Sequence, residues 1–172
     1  YDPGDDNIAL IDIGASKTSL NILKGNSSVF MRDVSLGCSQ INQKIISLVD
    51  CSFDEAENLK FGDNPERLSA EDLKEIVSSV VSDWCTEIRR ALDFFYSTYP
   101  DDQIKRIILS GGGASISEFR ELLGVEASAE VETINPFKGI YVDDRFDPEF
   151  IKQIAPQAAI TVGLALRKVN DK

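Results

Sequence analysis

The stretch IALIDIGASKT, residues 8–18, decides the fold of this chain. Its first half is apolar at nearly every position, which is typical of a strand buried on both faces of a sheet, and Asp12 is the only charge there. Gly14 then allows successive backbone N–H groups to point into one concavity, while Ser16 and Thr18 add hydroxyl donors. We therefore predict a turn that binds the phosphate of a nucleotide, with Asp12 holding Mg²⁺ through water.

The same stretch begins a three-stranded meander. Residues 19–24 form a second apolar strand, a Gly-Asn pair closes it, and residues 28–34 form a third strand. We expect this meander at the centre of a mixed sheet with helices on both faces. An ordinary β-hairpin without a ligand would show the same pattern, so residues 8–18 alone leave both interpretations open.

Composition narrows the classes of function. The chain has 172 residues, a hydrophobic content of 42% and a formal charge of −11 without any basic cluster, which argues against nucleic acid as a partner. It contains no histidine, which excludes serine–histidine and cysteine–histidine hydrolysis and histidine metal sites. Three widely spaced cysteines indicate neither a zinc site nor a redox pair and suit a reducing compartment: Cys38, Cys51 and Cys85.

Helices are predicted downstream of the meander. Residues 39–49 form a short amphipathic helix, Ser52 caps a second helix that ends near Lys60, and Ser69 caps a long helix that ends at Tyr99. On the second helix Glu57 and Lys60 are three residues apart and share a face, so together they could contact a ribose hydroxyl and a purine edge. The alternative is a surface ion pair.

A glycine-rich turn is the second informative segment. Residues 107–109 form a buried strand, three glycines follow, and Ser115 with Glu118 has the spacing of a helix cap. This arrangement suits a nucleotide, because glycines let a ligand approach the backbone and a helix N-terminus offers free N–H groups. It is neither a Walker P-loop nor a Rossmann fingerprint, since Ile116 stands where the latter needs glycine. A plain tight connection is the alternative.

Taken in order, the three segments resemble the second half of the actin, Hsp70 and sugar-kinase superfamily of ATP-binding folds. Its motifs Asp-x-Gly-x-x-x-Thr, Glu-x-x-Lys and strand-Gly-Gly-helix match residues 12–18, 57–60 and 109–115. Within that superfamily the chain is most similar to the PilM family of type IV pilus assembly proteins. This resemblance extends to NPFKGIY, residues 135–141, and to APQAAITVGLALRKV, residues 155–169.

The resemblance implies an α/β fold: the second lobe of an actin-like ATPase, which is ribonuclease H-like, with a mixed sheet, helices on both faces and a small helical subdomain. It divides the chain into three segments. Residues 1–51 hold the first part of the lobe with the phosphate hairpin, residues 52–100 form the helical subdomain, and residues 101–172 hold the adenosine motif and the C-terminal helix.

The resemblance also implies ATP and magnesium as cofactors and assigns residues to them. The phosphates and Mg²⁺ would be contacted by Asp12, Gly14, Ser16 and Thr18. The ribose and purine would be contacted by Glu57 and Lys60. The adenosine would be contacted by Gly111, Gly112, Gly113 and Ser115, with Ile116 against the base.

Proteins of this family are cytoplasmic scaffolds of the pilus assembly platform, held peripherally at the inner membrane through partners. The resemblance therefore implies a PilN-like cytoplasmic tail and pilus motor and platform proteins as partners. Only one phosphate hairpin is present, so we expect the chain to be the C-terminal half, with the N-terminal lobe of the same protein absent. That lobe would carry most of the PilN-binding groove.

A lone lobe cannot align the nucleophile for hydrolysis, so we expect the isolated chain not to hydrolyse ATP. Its exposed inter-lobe surface could also lead to self-association. Two other functions remain open from the residues: a small-molecule kinase of the same superfamily, and the actin-like domain of a type II secretion platform protein.

Overall fold

A five-stranded mixed sheet is the centre of the computed structural model, which describes residues 7–167. The strand order is β3-β2-β1-β4-β5. The strands are β1 (Asn7–Ile13), β2 (Thr18–Lys24), β3 (Ser27–Val34), β4 (Ile104–Ser110) and β5 (Glu130–Thr133). The first three pair antiparallel, whereas β4 runs parallel to β1 and β5 parallel to β4. The mixed sheet predicted from the sequence is therefore confirmed.

We expected the meander at the centre of the sheet, and this expectation is wrong. β1 is the central strand, but β3 forms an edge. The physical reason is that β1 pairs on its far side with β4, whose apolar residues are buried, whereas β3 has exposed or half-buried side chains throughout. A strand with that burial suits an edge better than an interior position.

Six α-helices of the described residues connect and cover the strands. They are α1 (Ser39–Val49), α2 (Phe53–Lys60), α3 (Ala70–Thr98), α4 (Ser117–Ala127), α5 (Pro148–Ile154) and α6 (Ala159–Ala165). The predicted caps of α2 and α3 are confirmed, because the hydroxyls of Ser52 and Ser69 accept hydrogen bonds from the backbone N–H three residues on. None of these helices is long and apolar enough to cross a membrane.

The predicted cap at Ser115 is wrong. Gly112–Ser115 forms a 3-10 turn, and α4 begins only at Ser117, with Ile116 as its N-cap residue. Because the glycine turn continues as 3-10 helix, Ser115 lies inside that turn and its hydroxyl does not cap α4.

A single core joins the sheet to the helices. Ile11 on β1 and Leu109 on β4 are buried in the same cluster as Trp84 on α3. The Trp84 ring packs edge-on against Phe119 of α4 at 5.5 Å between centroids, so Trp84 is a packing residue. Residues of all three predicted segments share this core, and their division into subdomains stays a prediction. Residues 1–6 of the first predicted segment and residues 168–172 of the last lie outside the described residues, and with them the end of the predicted C-terminal motif.

Candidate functional site

The turn between β1 and β2 is closed on itself and held by the start of α1. The Gly14 N–H donates to the Lys17 carbonyl at 2.9 Å. The carbonyls of Gly14 and Ala15 accept from the N–H groups of Cys38 and Ser39 at 3.0 and 2.8 Å. Because these N–H groups belong to the first turn of α1, the helix fixes the position of the phosphate turn predicted from the sequence.

Asp12 lies at the end of β1, where β4 also ends. It pairs in register with Ser110, and the Ser110 hydroxyl donates to Asp12 Oδ2 at 2.7 Å. Residues 7–167 contain no group of three or more acidic, cysteine or histidine side chains suited to a metal. A single partly exposed carboxylate still fits Mg²⁺, which keeps most of its waters and is commonly bound through one or two carboxylates plus phosphate.

The two hydroxyls of the turn differ. Ser16 is exposed. Thr18 is buried, and its hydroxyl donates to the Leu36 carbonyl at 3.0 Å. The structure therefore does not bring Thr18 to the surface with Ser16, and the Thr18 hydroxyl holds the connection between β3 and α1.

The glycine turn after β4 packs directly on the end of β1. Gly111 has a positive φ of 83°, and a Cβ atom there would lie 2.4 Å from the Ile13 carbonyl oxygen. A Cβ atom on Gly113 would lie 2.4 Å from the Ile13 side chain. Only glycine allows this approach, whereas Gly112 is exposed and has open space around it.

Ser115 is exposed and Ile116 half-buried, so both remain available at the surface.

Glu57 and Lys60 form an ion pair, the contact that their spacing offered as the alternative to a role at ribose and purine. The Lys60 ammonium lies 2.7 Å from both carboxylate oxygens of Glu57. The Asn42 amide on α1 donates to Glu57 Oε2 at 2.6 Å. The hydrogen bond from Lys60, followed by that from Asn42, lowers the pKa of the Glu57 carboxyl below its usual value. Lys60 also lies 5.3 Å from the centre of the Phe61 ring, which is exposed.

Cys38 lies where the three segments meet. Its backbone N–H donates to the Gly14 carbonyl, and its sulfur would be 3.3 Å from a Cβ atom on Gly113. Burial raises the pKa of the Cys38 thiol, and the charges of Lys60 and Glu57 are close enough to act on that pKa in opposite directions. The structure therefore brings the turn at Gly14 and the turn at Gly113 together at one half-buried thiol, and α1, which starts there, also contacts Glu57 through Asn42.

Three residues of this region were not predicted as site residues from the sequence: Gly37, Cys38 and Asn42. Gly37 and Cys38 stood outside any motif, although a Gly37 Cβ atom would lie 2.6 Å from the Gly14 carbonyl oxygen. Asn42 carried a usable signal: it is a polar residue between Ile41 and Ile45 on the apolar side of a predicted helix. A buried amide in such a place needs a hydrogen-bond partner, which a motif search does not look for.

The fold is that of one lobe of the actin-like class. Its defining features are the sheet order, the paired turns at the ends of β1 and β4, and the acidic residue between them. Solved structures support this class: the archaeal actin homolog Ta0583 in complex with ADP has a TM-score of 0.66 and 16% identity over 98% of this chain. EutJ, an ethanolamine utilization protein from Carboxydothermus hydrogenoformans, has a TM-score of 0.63 and 18% identity over 94% of this chain.

The chain belongs to the family described as type IV pilus assembly protein PilM, whose model matches residues 2–169. Its fold is also similar to that of a chain in the PilM-PilN type IV pilus biogenesis complex, with a TM-score of 0.81 and 28% identity. That match covers 96% of this chain but 46% of the other, and the matches to EutJ and Ta0583 cover 49% and 52% of those chains. This chain therefore spans about half the length of its solved relatives.

The close approach of Gly111 to β1 predicts a position-specific loss of stability. Gly111→Ala should lower the free energy of unfolding by about 2 kcal/mol or more, because the new Cβ atom overlaps the Ile13 backbone at a positive φ. Gly112→Ala, its matched control in open space, should change it by less than about 0.5 kcal/mol. Urea denaturation compares the two. Equal midpoints for both variants would contradict the packing described here.

The lowered pKa of Glu57 predicts a pH-dependent contribution to stability. A carboxyl whose folded pKa is depressed stabilises the fold fully above its ordinary pKa of 4.5, and loses that contribution as the pH falls through the lowered value. Glu57→Gln should therefore be less stable than the unaltered chain at neutral pH and should approach it in acid. Thermal unfolding across this range measures the difference. A gap that persists undiminished in acid would show that the Glu57 charge is not the cause.

Proposed function

We propose that this chain is the nucleotide-binding C-terminal lobe of a cytoplasmic, actin-like scaffold of the type IV pilus inner-membrane assembly platform. The observation that carries the proposal is the convergence of the turn at Gly14, the glycine turn at Gly113 and the Glu57–Lys60 pair on the first half of α1. Segments about 100 residues apart in sequence meet at one place, and each has groups suited to one part of a nucleotide.

ATP with Mg²⁺ is the ligand that suits these groups. Mg²⁺, when bound, neutralises phosphate charge, and Asp12, held by the Ser110 hydroxyl, is the residue that would hold it. The backbone of the turn at residues 14–17, together with Ser16, would contact the phosphates. The glycine turn removes side chains from the path of the adenosine, and Glu57 offers a carboxylate that ribose hydroxyls can donate to. The structure of Ta0583 with ADP supports a nucleotide for this fold.

A PilN-like cytoplasmic tail is the proposed partner. The support is the similarity to a chain of the PilM-PilN complex at 28% identity. Since this chain covers 46% of that one, we place most of the tail-binding groove on the other half of the protein. We propose that motor and platform proteins of the pilus are contacted in the same assembly, and that the protein is held at the inner membrane through these partners.

The role proposed for ATP is to set the arrangement of the two lobes rather than to drive chemistry in this one. A ligand shifts a conformational equilibrium only by its differential affinity for the two states, and a ligand bound between lobes has such a difference. Hydrolysis also needs a positioned nucleophile, which this lobe is not expected to supply alone.

Calorimetric titration with ATP tests the proposal. The chain should bind ATP with Mg²⁺ weakly, with a dissociation constant above about 1 μM, because one lobe provides half of the contacts. Asp12→Asn should weaken binding in the presence of Mg²⁺ and change it little when Mg²⁺ is chelated, since Asp12 acts through the metal.

Asp93→Asn, which removes an exposed carboxylate on α3, is the matched control and should bind like the unaltered chain. No detectable heat with millimolar ATP would contradict nucleotide binding. Submicromolar affinity or steady release of phosphate would instead contradict the interpretation that this lobe provides only half of the nucleotide site.

A further inference from the structure

A buried amide connects two helices at the candidate site. Asn42 on α1 is 1% exposed and lies between Ile41 and Ile45, both in the core. Its Nδ2 donates to Glu57 Oε2 on α2 at 2.6 Å, a hydrogen bond to a charged group. Asn42 is therefore a polar residue at a position where the neighbouring side chains of the helix are apolar.

Packing alone does not account for Asn42. Its Oδ1 atom is buried and has no hydrogen-bond partner among the described residues. A buried acceptor without a partner destabilises a fold, and an apolar side chain of similar size would avoid that loss. What Asn42 provides that leucine cannot is the hydrogen bond to Glu57.

Asn42 also joins Glu57 to the phosphate turn through one rigid element. The N–H groups of Cys38 and Ser39, at the start of α1, hold the carbonyls of Gly14 and Ala15. Asn42 lies four residues after Cys38, so both are on the same face of the helix. A displacement of the turn relative to α2 would therefore strain the hydrogen bond between Asn42 and Glu57.

The other groups around Glu57 do not fix its orientation in the same way. Lys60 contacts both carboxylate oxygens, but from a long stem with four rotatable bonds on the same helix. The charges of Glu57 and Lys60 act on the pKa of the nearby Cys38 thiol in opposite directions, but Cys38 is not among the groups that shift the pKa of Glu57. Asn42 is the contact from a second helix, and two contacts from different elements define the plane of a carboxylate.

We infer that Asn42 is a positioning residue of the nucleotide site, which orients the Glu57 carboxylate for the ribose and couples it through α1 to the phosphate turn. The inference rests on the proposed function for its ligand. It assigns to Asn42 no contact with the nucleotide.

Asn42→Leu tests the inference with three readouts on the whole chain. The pKa of Glu57, followed by carboxyl carbon NMR, should rise towards its ordinary value because a hydrogen bond to the charged form is lost. The affinity for ATP with Mg²⁺ should fall roughly tenfold, as is typical when a partner that orients a ligating side chain is removed. The midpoint of urea unfolding should change little, because removal of the unpartnered Oδ1 atom offsets the lost hydrogen bond to Glu57.

Asn7→Leu is the matched control. Asn7 is also buried, also has an Oδ1 atom without a partner among the described residues, and lies at the opposite end of β1 from Asp12. It should change neither the Glu57 pKa nor the affinity for ATP. In a Glu57→Gln background, Asn42→Leu should cause little further loss of affinity, because its effect acts through Glu57. Asn42→Ala repeats the comparison if the leucine variant does not fold.

The outcomes separate the inference from the proposed function. An unaltered Glu57 pKa in Asn42→Leu, or ATP affinity equal to that of the unaltered chain, overturns the role of Asn42 while nucleotide binding stands. The role of Asn42 is also overturned if Asn42→Leu loses affinity for ATP in proportion to a loss of folding stability and loses as much affinity in the Glu57→Gln background. Failure of the unaltered chain to bind ATP overturns the proposed function, and the ligand role of Asn42 with it.

Discussion

The parallel pairing of β1 with β4 is the constraint on which the candidate site depends. Parallel strands end at the same edge of a sheet, and here the register places Asp12 opposite Ser110. Each strand is followed at that edge by a turn that contains glycine, and the second turn, where only glycine fits, packs on Ile13 at the end of β1. The buried apolar residues of both strands fix this register, because a slip by one residue would turn their core-facing side chains to the other face.

The first turn of α1 completes the arrangement. It uses its N–H groups, which no residue of the helix itself can satisfy, to hold the carbonyls of Gly14 and Ala15. The same helix carries Cys38 against the glycine turn and Asn42 against Glu57. Three segments that are distant in sequence therefore meet through one strand pair and one helix.

The elements of the fold and the turns that frame the candidate site could be predicted from the sequence because their signals are local. An apolar run followed by a glycine turn predicted both β1 and β4. The side chains of Ser52 and Ser69 indicated helix starts that the structure confirms. The family and its actin-like fold were likewise expected from motif order, and the comparisons bear them out.

One failed prediction was local, and the other features that the sequence did not indicate depended on contacts between distant segments. The cap predicted at Ser115 was wrong because the glycine turn continues as 3-10 helix, and β3 is an edge strand because β4 takes the other side of β1. The buried hydrogen bond of Thr18 and the contact from Asn42 to Glu57 join residues 18 and 15 positions apart in sequence, so no local pattern indicates them.

The central claim is that the three segments form one ligand site, and backbone amide NMR during titration with ATP and Mg²⁺ tests it most directly. The account predicts that amides in residues 14–17, 57–60 and 111–115 all shift along one binding curve, while those of the edge strand β3 (Ser27–Val34) stay in place. Shifts confined to one of the three segments, or separate binding curves for them, would contradict the account.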